Sequence, residues 1–115
     1  MDQRLNLLLG TVDLLILRTL AWAPMHGYAI SRWIRARSQD TLDIQDAALY
    51  KALRRLEESG AVKAEWRLTE ESRRARYYRL TAAGRRRLLR EAENFRRYAH
   101  VIFDVLAPLP GEKTS

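Results

Sequence analysis

Apolar residues recur at helical spacing through the first third of the chain. Leu14, Leu15, Leu17, Leu20 and Ala21 follow Thr11, whose hydroxyl suits an N-cap. This predicts a first helix ending near Ala23-Pro24, because the residue before a proline resists the α conformation. His26-Gly27 then reads as a turn. Ile30, Trp33 and Ile34 give the i, i+3, i+4 pattern of a second helix, with Ser31, Arg32 and Arg35 on its other side. Ser38-Gln39-Asp40 is a loop, and Leu42 and Ile44 flank Asp43 in a short extended piece. Asp46 is expected to cap a third helix, Ala47 to Ser59, with Gly60 stopping it at the C′ position. Leu49, Leu53 and Leu56 form its buried stripe, while Lys51, Arg54, Arg55 and Glu58 lie off that stripe.

The period then changes to two. Val62, Ala64, Trp66 and Leu68 alternate with Lys63, Glu65 and Arg67, the pattern of a half-buried strand. Tyr78 and Leu80 alternate with Tyr77 and Arg79 in a second strand, and residues 69–75 form the polar hairpin loop between them. Thr81 caps a last helix running to about Ala107, ended by Pro108 and Pro110. Along it, Leu88, Ala92, Phe95, Ala99, Ile102 and Leu106 are spaced alternately by four and three, a heptad seam. Gly111 to Ser115 reads as a frayed tail. Trp22, Trp33 and Trp66 lie on or beside apolar stripes and are expected in the core, with Trp22 partly exposed.

The order is helix, helix, helix, strand, strand, long helix. This predicts a mostly α fold with a two-stranded wing: a winged helix-turn-helix over 1–80, a dimerisation helix over 81–107 and a flexible tail over 108–115. A length of 115 residues suits one domain. Lys and Arg number 21 against 14 acidic residues, a net charge of +7, which favours a polyanionic partner. The chain has no cysteine, which excludes disulfides, thiolate metal sites and cysteine nucleophiles. Gly10, Thr11, Asp13 and Arg18 interrupt the apolar N-terminal run, so neither a signal peptide nor a membrane span is expected, and the predicted location is cytoplasmic. No catalytic site, metal site or cofactor is expected. His26 and His100 have no metal-ligand spacing, no glycine-rich phosphate loop occurs, and Asp40, Asp43 and Asp46 lack the glycine and terminal glutamate of a calcium loop.

The third helix is the candidate for reading the major groove of double-stranded DNA. Lys51 and Arg54 share one face and can address guanine acceptors, with Tyr50 and Arg55 beside them. In the wing, Arg73, Arg74 and Arg76 can meet phosphates or a narrow minor groove. Glu70 and Glu71 occupy the first half of that loop and would repel phosphate, so the second half is expected to face DNA. The last helix is also basic, but its alanine-containing seam suits a close helix partner, in a homodimer, better than a bilayer. Packing against the chain's own first helix is compatible with that. The alternative class is a winged-helix protein-interaction module that does not touch DNA, and Lys51, Arg54 and Arg55 argue against it.

Together these residues resemble the PadR family of bacterial transcriptional regulators, in particular its short members with a single C-terminal helix. The matching stretches run from Leu9 to Leu17, from Met25 to Tyr28, from Ala48 to Glu57 and from Arg76 to Thr81, with Gly84. The resemblance covers about residues 5 to 90. It implies a dimeric repressor that binds a two-fold operator and is released by a ligand or other signal. It places Ala48 and Tyr50 near the start of the recognition helix, and Arg74, Arg76 and Tyr77 in a basic wing. The wing tip, Glu70-Glu71-Ser72, departs from the glycine- or proline-containing turn of many relatives. Some relatives bind aromatic or drug-like effectors at the dimer interface. Phe95, Tyr98 and Phe103 could line such a pocket here, with aromatic core packing as the favoured reading.

Overall fold

In the computed structural model, which describes residues 10–113, the chain runs α1 (Thr11–Trp22), β1 (Met25–His26), α2 (Gly27–Arg37), α3 (Asp46–Glu58), β2 (Val62–Leu68), β3 (Arg74–Leu80) and α4 (Ala82–Leu106). The expectations for residues 1–9 and for the end of the tail lie outside the described residues. Helix and strand order follow the hydrophobic periods, with one addition. The sheet has three strands in the order β1-β3-β2, not two. Met25 pairs with Tyr78 and His26 with Tyr77, antiparallel, on the edge of β3 that a two-stranded wing would leave open. A two-residue strand is too short to show alternation, so His26-Gly27 read as a simple turn.

The helix ends differ from expectation in their chemistry. Gly10, at φ 83°, is the N-cap of α1, and Thr11 is its first helical residue. Gln45, not Asp46, is the N-cap of α3, and it makes no side-chain cap. Asp46 instead places its charge in the first turn, where the helix dipole favours an anion. His26 is a cap that sequence reading missed: its Nδ1 accepts from the Ala29 amide at 3.1 Å. At the other end of α3, Gly60 adopts φ 80°. Its amide donates to the Glu57 carbonyl at 3.1 Å and the Ala61 amide to the Leu56 carbonyl at 2.9 Å, a Schellman closure. Thr81 caps α4 by accepting from the Gly84 amide at 3.0 Å, and its hydroxyl lies 2.6 Å from the Gly60 carbonyl. The start of α4 is thereby tied to the end of α3.

The core lies between α1, α2, α3 and the inner face of the sheet. Ile16, Leu17 and Leu20 meet Ile30, Ile34, Leu49, Leu53 and Leu56, with Val62, Tyr78 and Leu80 below. Leu42 and Ile44 lie in a segment without regular structure, and Ile44 is buried against the core. The inner face of β2 leaves the core halfway along. Val62 is buried, but Trp66 is 60% exposed and Leu68 66%. Trp66 is therefore not a core residue, because the hairpin projects past the helices that would cover it. Trp22 is likewise exposed, and Trp33 is half-buried.

The last helix also outruns the body. Gly84 and Leu88 are buried and Ala92 is half-buried, so the first turns of α4 belong to the same core as the winged helix. Phe95, Ile102 and Leu106 on the seam are exposed, as are Tyr98 and Phe103. Among the described residues, Phe95, Tyr98 and Phe103 do not pack into the chain's own core, because no described element reaches that far along α4.

Candidate nucleic-acid interface

The buried stripe of α3 fixes its opposite face. With Leu49, Ala52, Leu53 and Leu56 turned inward, the 3.6-residue period turns Ala47, Lys51, Arg54 and Glu58 outward, and all four are exposed. Tyr50 flanks this row on one side, and Ala48 and Arg55 flank it on the other. Ala47 was not singled out from the sequence, although it was legible there as the residue four before Lys51 and opposite the leucines. As a small residue it lets a partner approach the helix closely. Tyr50 lies over the N-terminus of α2: a β-carbon on Gly27 would come within 2.6 Å of its hydroxyl. The glycine of the His-Gly-Tyr stretch is thus the floor beneath the Tyr50 phenol.

The basic side chains fall into two sets. Lys51 and Arg54 are exposed, and no ion pair involves them among the described residues. Arg55, by contrast, donates to the Asp13 carboxylate of α1 at 2.7 Å. In the wing, Arg73 is exposed, and Arg74 lies over the Trp66 ring at 5.1 Å. Arg76 is held by Glu57 of α3 at 2.9 Å. Tyr77 meets His26 edge-on at 5.2 Å and carries the Arg67 guanidinium 5.3 Å above its ring. Arg67 also donates twice to one oxygen of Glu65, which holds that exposed carboxyl below its ordinary range through the hydrogen bond and the adjacent charge. Burial pushes the Tyr78 phenol up, so it stays neutral beneath the wing.

The wing tip closes without glycine. The Ser72 amide donates to the Thr69 carbonyl at 2.9 Å, and the Thr69 amide donates to the Arg73 carbonyl at 2.8 Å. This is a three-residue hairpin loop whose last residue must be left-handed, and Ser72 takes φ 60°. Glu70 and Glu71 occupy the turn, and Arg73 and Arg74 follow where the chain enters β3.

Two open clefts flank α2. One, of about 1170 Å³, has His26, Tyr28, Arg32 and Tyr50 on the helical side and Trp66, Arg73, Arg74 and Arg76 on the wing side. The other, of about 860 Å³, runs between α2 and the N-terminal end of α3 and shares Tyr28 and Arg32 with the first. Tyr28, Arg32 and Trp66 had no interface role in the sequence reading. Only their exposure in the folded chain, with Arg32 lying 5.6 Å over the Tyr28 ring, brings them to this surface. No described helix is long and apolar enough to cross a membrane.

The model of the PadR-like transcriptional regulator family matches residues 16–90. A transcriptional regulator from Clostridium thermocellum superposes with a TM-score of 0.77 at 33% identity, over 85% of this chain and 95% of that one. A PadR family transcription regulator from Clostridium difficile gives a TM-score of 0.74 at 27% identity, over 85% of this chain and all of that one (100%). An uncharacterized protein X of Lysinibacillus sphaericus is 30% identical over 82 residues, 71% of this chain and 75% of its own length. An uncharacterized 37.1 kDa protein from a Streptomyces fradiae transposon is 40% identical over 96 residues, and the match spans 84% of this chain but only 26% of that protein.

Proposed function

The chain belongs to the PadR-like family of transcriptional regulators, and from that premise we propose that it is a homodimeric repressor that binds an inverted-repeat operator and is released by an effector or other signal. It is a DNA-binding transcription regulator and not an enzyme. The observation that supports DNA contact by α3 and the wing together is the cleft with Tyr50 of α3 on one wall and Arg73 and Arg74 of the wing on the other. A duplex that receives α3 in its major groove presents its phosphates and adjacent minor groove to such a wing.

In this reading Lys51 and Arg54 address base edges, Ala47 and Ala48 allow close approach, and Tyr50 hydrogen-bonds a phosphate. Arg73 and Arg74 meet the backbone, with Trp66 holding the Arg74 guanidinium flat. Two protomers pair along the α4 seam from Leu88 to Leu106. An aromatic effector would bind where Phe95, Tyr98 and Phe103 meet the partner helix, the aromatic surface that the protomer leaves uncovered. The protein would act in the cytoplasm, where its DNA lies.

Band shifts on the DNA flanking the gene, run over a salt series, test the reading. Arg54→Ala should weaken operator binding by about 1–3 kcal/mol and relax preference at one base position. Arg74→Ala should weaken all sequences alike and reduce the salt slope by about one. Equal loss on operator and random DNA for Arg54→Ala would remove it from the base-reading set.

A further inference from the structure

Asp13 is the one charged residue that is buried among the described residues. Its carboxylate faces guanidinium groups from two other helices. Arg55 of α3 donates to Oδ1 at 2.7 Å, and Arg87 of α4 lies 3.5 Å from Oδ2. Arg87 reaches further: its Nε pairs with Glu91 at 2.5 Å, and its Nη1 lies 3.4 Å from the Ser59 hydroxyl, at the C-cap of α3. One arginine of α4 therefore touches the end of the DNA-reading helix directly and its Arg55 through Asp13.

We infer that Asp13 and Arg87 are positioning residues for DNA recognition, fixing how α3 is set against α4, and that Arg55 acts through Asp13 rather than on a base or a phosphate. The inference rests on the reading of α3 given above. A carboxylate taken out of water must keep its charged partners, and each of its two oxygens here serves a different helix. The geometry of the pairs, which is directional, thus restricts rotation of α3 about its own axis. The Arg55 side chain is 58% exposed but that of Asp13 only 12%, so the pair compensates a buried carboxylate. It also sets aim, since Arg54, the neighbouring residue, points into the outward row. The same linkage gives α4 a route to α3: a shift of α4 on its partner would move Arg87, and with it Asp13 and Arg55.

The test uses the full chain and two duplexes, one selected by the wild-type protein from a random-sequence pool and one scrambled. Anisotropy titrations over a salt series give the affinity ratio between them and the salt slope. Asp13→Asn, Arg55→Met and Arg87→Gln should each lower the ratio roughly 2- to 30-fold, with the salt slope unchanged. Asp13→Asn combined with Arg55→Met should lose no more than Asp13→Asn alone, because the Arg55 link is already broken when Asp13 is neutralised. Arg55→Met and Arg87→Gln alter partly exposed side chains and keep the test open if Asp13→Asn fails to fold by circular dichroism. A salt slope lowered by about one in Arg55→Met, with Asp13→Asn binding as wild type, would make Arg55 a phosphate contact and overturn the inference. An unchanged ratio in Arg87→Gln would overturn the link to α4. Arg54→Ala separates the two levels. If it keeps the wild-type ratio, the reading of α3 fails; if it loses preference while the Asp13 and Arg87 variants keep theirs, only the positioning inference falls.

Discussion

Gly27 and Gly84 are both buried, yet a methyl group at each would meet different things. At Gly84 it would run into the backbone carbonyl of Ala61 and the Leu80 side chain. Neither the carbonyl nor the start of α4, held there by Thr81, can give way, so Gly84→Ala should cost roughly 1–3 kcal/mol. At Gly27 the obstacle is the far end of the Tyr50 side chain, which can rotate away. Gly27→Ala should therefore fold with near-wild-type stability but displace the phenol from the cleft, and operator affinity should fall with it. Thermal melts and anisotropy on the two variants check this pair of expectations. Gly27→Ala binding operator as wild type does would remove Tyr50 from the contact set.

Among the elements, α4 has the clearest division of labour. Its first turns complete the core through Gly84 and Leu88, and the rest, at about 1.5 Å per residue, extends apolar surface into solvent. Leu88 and Ala92 pack in the chain's own core, so the first part of the heptad seam serves the chain's own packing, and only the rest is left for the proposed partner helix. Replacing Phe95 and Ile102 with Asp should leave each protomer folded, since both are exposed there. It should also break the proposed dimer, because two carboxylates buried without partners would cost about 3 kcal/mol or more. Sedimentation velocity should show a monomer whose circular dichroism is unchanged. A variant that remains a full dimer would place the interface elsewhere.

At the scale of the whole molecule, the 62 Å long dimension reflects α4 projecting from a small winged body. Pairing two such helices would fix two α3 helices at one separation and one relative rotation. Two-fold symmetry then requires an inverted repeat with half-site centres about 10 bp apart, or near a multiple of one turn. Inserting about 5 bp between half-sites turns one of them to the far side of the duplex, and affinity should drop towards the non-specific level. A footprint on the native operator, followed by titration of the insertion, measures this. Undiminished affinity would mean that the two halves move independently and that no rigid clamp exists.

The sequence by itself determined the elements and their faces: the leucine stripe of α3, the switch to period two at Val62, the Thr81 cap and the seam of α4. These are local patterns, set by the repeat of one helix or strand against one apolar side. Tertiary structure alone decided what the long-range partners are. Arg55 and Arg54 are adjacent and chemically alike, yet Arg55 meets Asp13, 42 residues earlier in the chain, and Arg54 does not. Arg76 meets Glu57 in the same way. Two residues, Met25 and His26, became a strand only because β3 offered them an open edge. Trp66 continues the alternation of β2 without interruption, but the body of the protein ends before it does. Periodicity records which way a side chain points. Whether anything stands there depends on where the rest of the chain folds.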